Sequence, residues 1–387
     1  MLEARHLPSG FNTQFDGTGL PFAEYVLRTR DMLAKAHADK PHAERIIRIN
    51  GNAPFQFWPS GDYPHGREKP FRRGVLLTHG LTDSPYFMRY LATFFQENGF
   101  RVMAILLPGH GTQPGDLLEV KWMEWAKAVA YGTDQLAAEV DEVYLAGYSA
   151  GGALSINQGL DDQRVRGLFL FSPALKVSSR AARAHWHKFY SWLYPAAKWV
   201  SLKPDRDLYK YESFPKNVAT EVHALSNMIN TRLQKQVLSI PIFAAASQVD
   251  TTAIAAATIK FMSNSSHSTS RLVLYTKKKS IPDFPAEKLE LINIVIPAQK
   301  ILSASHTAIV LPPEDPHYGI GGGYSNCVHY YPNDMEKYNT CMSKPTEVLQ
   351  GEITEENLKV GTMRRLMYNP NFAALQISLK RFIDGQS

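Results

Sequence analysis

From Gly74 onward, short apolar runs alternate with longer amphipathic ones, and this rhythm restricts the fold more than any other feature of the chain. GVLLTHG (74–80), FRVMAILLPGHG (100–111), DEVYLAGYSAGG (141–152), VRGLFLFSPA (165–174), IPIFAAASQVD (240–250) and RLVLYT (271–276) read as buried strands with the turns that follow them. Between them, SPYFMRYLATFFQENG (84–99), VKWMEWAKAVAYGTDQLAAE (120–139) and ALSINQGL (153–160) read as helices. NFAALQISLKRFID (371–384) carries apolar residues at 372, 375, 379, 382 and 383, the spacing of an amphipathic helix. Strands that run apolar without alternation are buried on both faces. The pattern therefore predicts an α/β fold with a mostly parallel central sheet covered by helices. In such sheets the functional residues lie just beyond the carboxyl ends of the strands.

The remaining segments set the expected organisation. Residues 1–70 form an N-terminal extension, with a helix over 21–38 and two short strands over 44–58 around a turn at Asn50-Gly51-Asn52. The core is expected in two parts, 71–173 and 240–311. An insertion at 174–239 separates them, a loop excursion rich in Pro, Gly, Tyr and Asn follows at 312–362, and 363–387 ends the chain with a core helix.

Composition narrows the classes. The 387 residues are 44% hydrophobic and 20% charged, as in ordinary globular proteins. No apolar run approaches the ~20 residues of a membrane span, and residues 1–19 lack the apolar core of a signal peptide. A net charge of +6 is mild and calls for no nucleic acid. It is uneven: between Ala174 and Lys216 nine Lys/Arg face three acids. Cys327 and Cys341 lack metal-type spacing. They either pair in a disulfide, which implies a periplasmic or secreted protein, or stand as free thiols in the cytoplasm. His185 and His187 lack a matching ligand pattern, so neither a metal nor a cofactor is expected.

Gly147-Tyr148-Ser149-Ala150-Gly151 follows one predicted strand and precedes a helix of small residues. This G-x-S-x-G context suits a nucleophile elbow, in which glycines on either side let strand and helix approach while the serine projects at the tip. A serine needs a base, and the base needs an acid to hold its tautomer. Asp250, at the end of IPIFAAAS, is the expected acid, with helix capping as its alternative role. Of the histidines after it (His267, His306, His317 and His329), His306 in ILSASHTAIVLPP is the expected base because apolar runs anchor it on both sides; His317 is the reserve. The oxyanion donors are expected at the backbone N–H groups of Ala150 and Leu81, where Gly80 allows a close approach.

HGLTDSP (79–85), LPGHGTQPGD (107–116), LAGYSAGGAL (145–154), SQVDTTA (247–253) and SASHTAI (303–309) together resemble bacterial carboxylesterases and monoacylglycerol-lipase or lysophospholipase-like enzymes of the α/β-hydrolase superfamily. The resemblance spans roughly residues 70–310. It implies a Ser149–Asp250–His306 triad and an inserted helical cap over the nucleophile. The long excursion after the histidine and the N-terminal extension depart from compact members.

The insertion holds Trp186, Phe189, Tyr190, Trp192, Tyr194 and Trp199. These aromatics either anchor a cap on the core or line an acyl-chain tunnel, with Trp186, Phe189 and Trp192 as substrate-binding candidates and outer Lys/Arg meeting an anionic membrane surface. The expected function is hydrolysis of a lipid-like carboxylic ester, such as a monoglyceride or lysophospholipid. The alternatives are a peptidase or thioesterase on the same triad, or a non-catalytic lipid-binding protein.

Overall fold

The structure is a computed structural model that describes residues 2–61, 69–177 and 195–385. Twelve strands occur among these residues: β1 (Phe55–Phe57), β2 (Phe71–Thr78), β3 (Phe100–Ile105), β4 (Val140–Tyr148), β5 (Val165–Phe171), β6 (Trp199–Ser201), β7 (Phe214–Pro215), β8 (Ile242–Ser247), β9 (Arg271–Tyr275), β10 (Leu289–Ile292), β11 (Leu349–Gly351) and β12 (Met363–Arg365). Eight of them form one sheet in the order β1-β3-β2-β4-β5-β8-β9-β10. The predicted fold class holds. The sheet is mostly parallel: β2 pairs in parallel with β3 and β4, β8 with β9, and β9 with β10. At one edge β1 runs antiparallel to β3, with Phe55 opposite Ala104.

By their contacts the residues group into two units, Met1–Phe169 with Ser179–Gln236, and Leu170–Ser178 with Val237–Ser387. In the first, helices Arg89–Glu97, Trp122–Glu139 and Ala150–Asp161 cover β2, β3 and β4. Their apolar faces close over Val75, Leu77, Val102, Leu145 and Phe169, all fully or almost fully buried, and Phe95 meets Phe169 edge-on at 4.7 Å. Helix Lys216–Leu233, at the end of the sequence insertion, packs on Trp122–Glu139 and Ala150–Asp161 in this same layer. In the second unit, helices Ala255–Ser263 and Phe372–Asp384 cover β8 and β9, and Phe382 packs edge-on against Phe243 at 5.6 Å.

The hairpin expected over 44–58 does not form. Residues His42–Asn52 are a helix, and only Phe55–Phe57 is a strand. Each residue of the Asn50-Gly51-Asn52 turn signal is engaged otherwise. Asn50 accepts from Arg30, Asn52 donates to Leu208 O at 3.0 Å, and a Cβ on Gly51 would lie 2.1 Å from the Tyr209 ring. Glu44 pairs with Arg48 one turn on, and Ile49 packs on the cluster of Leu33, Ala53 and Leu106. Tertiary packing thus overrides the local turn preference.

The 312–362 excursion is more than loop. It holds helices Met335–Ser343 and Glu355–Val360 and strand β11, which pairs in parallel with β12. Cys327 and Cys341 are joined in a disulfide, with Cα atoms 6.0 Å apart at a sequence separation of 14. Both are buried, with Tyr330, Tyr338 and Val348 around them. A bridge closing a loop of this length stabilises by about 3 kcal/mol. Replacing both cysteines with serine is expected to lower the unfolding free energy by about that much, measured by urea titration of the full chain. Indistinguishable midpoints would show that the bridge contributes nothing.

Candidate active site

Ser149 follows β4 and caps the start of helix Ala150–Asp161, with φ 54° and ψ −116°. A non-glycine residue there carries backbone strain, which persists only where the surroundings enforce it. The enforcement comes from close packing. A Cβ on Gly147 would lie 2.2 Å from Gly151 O, and one on Gly151 would lie 2.1 Å from Thr78 O. Both flanking glycines are therefore dictated by contact between β4, β2 and the helix. Ser149 itself is nearly buried. Ala150 N–H belongs to the first helical residue, one of the donors a helix leaves without an internal partner.

The loop after β2 comes close to the elbow. A Cβ on Gly80 would lie 3.1 Å from Ser149 Cβ. Thr82, β-branched, sits at φ 64°, and three side chains hold this loop. His110 Nε2 accepts Thr82 N–H at 3.0 Å while its Nδ1–H donates to Pro108 O at 3.0 Å. His79 Nε2 accepts Leu107 N–H at 3.0 Å while its Nδ1–H donates to Gly80 O at 2.8 Å. Each ring accepts at one nitrogen and so must be neutral. Burial pushes His110 down to about 4 and holds His79 well below the usual histidine range. Lys210, the third, donates to Thr82 Oγ1 at 3.0 Å and pairs with buried Asp83. Next to it, Tyr211 N–H donates to Thr82 O at 2.8 Å, and Tyr209 stacks on Tyr86 at 3.7 Å. Thr82 N–H is thus taken by His110, and Asp83 N–H by Gly80 O.

The N-terminal extension braces the adjoining LPGHGTQPGD loop. Asn12 Nδ2 donates to Leu107 O and His110 O, Ser9 donates to Asp116 through both N–H and Oγ, and Leu7 O occupies the space a Cβ on Gly115 would need.

In the second unit, Asp250 lies just past β8 and His306 in the loop Ser303–Thr307. His306 Nδ1 donates to Asp250 Oδ2 at 2.6 Å, with both residues buried. Asp250 Oδ1 accepts Thr252 N–H at 2.7 Å and Ala253 N–H at 2.9 Å, so the carboxylate is fixed from both sides. Ser247 Oγ, at the end of β8, donates to Ala304 O at 2.9 Å and ties the two loops together. The other expected histidines go elsewhere. His317 stacks on Tyr324, and His267 bonds Thr269.

Sequence reasoning missed several of these residues. His110 lies in LPGHGTQPGD (107–116), yet no role for it follows from spacing. Lys210 enters the sequence reading only through the basic balance of 174–216, whereas in the structure it pairs with buried Asp83. Glu352, which accepts His306 N–H at 2.9 Å, had no local signal. Trp186, Phe189 and Trp192 lie outside the described residues. Trp199 is buried and packs edge-on against His6 at 5.1 Å.

Residues 69–279 match the family model described as serine aminopeptidase, S33 (Hydrolase_4), over more than half of the chain. The chain belongs to this family. A thermostable monoacylglycerol lipase of Bacillus sp. (strain H-257) is 30% identical over 109 residues, which is 28% of this chain and 44% of the relative. A carboxylesterase of Bacillus subtilis (strain 168) is 32% identical over 97 residues, 24% of this chain and 39% of the relative. The match thus spans less than half the length of either curated relative. A solved structure described among two metagenome-derived lipolytic enzymes is 21% identical with a TM-score of 0.48, covering 58% of this chain and 88% of that one.

The buried neutral histidines have a consequence for stability. His6, His37, His79 and His110 are all lowered by burial. A histidine depressed on folding binds fewer protons folded than unfolded. Its stabilisation is complete above the unfolded value of about 6.5 and is lost as pH falls toward the folded value. Each such group costs roughly 1.4 kcal/mol per pH unit inside that window. Urea midpoints are expected to drop steeply between about pH 6.5 and about pH 4, and less steeply in His110→Gln. Equal slopes in the two proteins would contradict this.

Proposed function

We propose that the chain hydrolyses carboxylic esters through an acyl-enzyme on Ser149, with His306 as base and Asp250 as its orienting acid. The observation that carries this reading is the strained Ser149 backbone, enforced by close packing at Gly147 and Gly151. A structural serine needs no such geometry. The tautomer of His306 agrees with it. With Nδ1–H committed to Asp250, Nε2 keeps the lone pair that takes a proton.

The steps follow from these roles. Ser149 Oγ attacks the carbonyl carbon as its proton passes to His306 Nε2. The oxyanion meets the N–H groups of Ala150 and Leu81, since the amides of Thr82 and Asp83 are already committed. The alcohol leaves with the proton from His306. Water, deprotonated by the same nitrogen, then releases the acid and restores Ser149.

The same chemistry would serve a peptidase, as the family's description suggests. The esterase reading is preferred because the two curated relatives, a monoacylglycerol lipase and a carboxylesterase, are both named for ester hydrolysis. A lipid-like acyl chain is the proposed substrate. The aromatic content of the insertion and its basic balance support it, although Lys210 is spoken for by Asp83 and does not add to an outer basic surface.

The test is a series of p-nitrophenyl esters from acetate to palmitate, alongside aminoacyl p-nitroanilides. Wild type is expected to cleave esters with a preference for longer chains. Ser149→Ala is expected to lose at least ~10³-fold in kcat. Turnover of anilides alone would replace the esterase with a peptidase. Activity confined to acetate and indifferent to anionic liposomes would end the lipid assignment.

A further inference from the structure

Glu352 lies in the excursion after His306 and is completely buried. A carboxylate in that position is costly unless every oxygen is satisfied. One oxygen accepts the backbone N–H of His306 at 2.9 Å. The other accepts Ile353 N–H and the Arg365 guanidinium, both at 2.8 Å. Arg365 Nη2 also donates to Thr252 Oγ1 at 3.0 Å. Thr252 N–H in turn donates to Asp250 Oδ1 at 2.7 Å. The contacts close into a ring: His306 backbone, Glu352, Arg365, Thr252, Asp250, and back to the His306 imidazole at 2.6 Å.

The excursion and the strand that follows it are folded to deliver this pair. In the β11–β12 pair, Gly351 lies opposite Arg365, and Glu352 follows directly. A Cβ on Gly351 would lie 2.8 Å from Ser303 Oγ, so glycine allows the strand to reach the His306 loop. Ser303 Oγ then accepts Glu352 N–H and Asn357 Nδ2, each at 3.0 Å.

We infer that Glu352, through its ion pair with Arg365, is a positioning residue that sets the His306 ring against Asp250 from the backbone side. This rests on the triad proposed above for its catalytic meaning. The excursion at 312–362 is then part of the catalytic scaffold. Glu352 touches neither substrate nor reacting atoms. Its effect passes through the His306 main chain, where a shift of about 1 Å costs roughly 100-fold in rate.

The experiment uses the full chain with two readouts. One is kcat and KM on the best ester. The other is the downfield proton resonance of the His306 Nδ1–H bonded to Asp250, observed with nitrogen-labelled histidine. Glu352→Ala is expected to lower kcat by about ten- to a hundredfold, with KM within about twofold, and to shift or broaden the resonance. Glu352→Gln, which keeps an acceptor for His306 N–H, is expected to recover most of both. Should Glu352→Ala fail to fold, Arg365→Met and Thr252→Val break the same ring elsewhere and are expected to move the resonance in the same direction. A Glu352→Ala protein with wild-type kcat and an unmoved resonance overturns the inference; so does a resonance unchanged in Arg365→Met and Thr252→Val. The resonance is read independently of turnover. Ester hydrolysis surviving in Ser149→Ala would therefore sink the proposed function while leaving this test readable.

Discussion

The close approach of β4, β2 and helix Ala150–Asp161 is the constraint on which the site depends. Gly151 packs against Thr78 O, and Gly147 against Gly151 O, at distances no side chain survives. That contact forces Ser149 to a positive φ and brings the Gly80 loop to its Cβ. The strands around it are buried apolar runs. The strain is therefore held by many small packing terms rather than by one bond.

Around this point the chain spends its buried polar groups on holding loops. His79 and His110 act as neutral two-ended clamps between the loop after β2 and the loop after β3. Lys210, from the insertion, ties Asp83 and Thr82. Ser9 and Asn12 tie the second loop to the N-terminal extension. In the second unit, Glu352 and Arg365 do for His306 and Asp250 what the histidine clamps do for the Gly80 loop. The N-terminal extension, the insertion and the excursion are thus used, in both units, to fix loops at strand ends.

The strands and the elbow were legible in sequence because their signals are local. A buried run such as VYLA and the glycines around Ser149 need only near neighbours to be understood. Asp250 and His306 are picked out in sequence by chain order and flanking apolar anchors, and in the structure they are hydrogen-bonded to each other. The 44–58 segment was misread because Asn-Gly favours a turn locally, while the helix there is fixed by distant partners, Leu33, Leu106 and Tyr209. Glu352 was illegible for the same reason. It lies 46 residues from the backbone N–H it accepts. The role of Lys210 was not legible because a charge count gives no direction; the fold brings it to Asp83.

The proposed chemistry stands on Ser149 being a nucleophile activated by His306. Labelling with a fluorophosphonate, followed by peptide mass mapping, tests it most directly because the probe reports nucleophilicity without assuming a substrate. A single adduct on Ser149 is expected, with labelling slowed by at least ~10²-fold in His306→Ala. A folded protein that stays unlabelled, or one whose adduct falls on another residue, would contradict it.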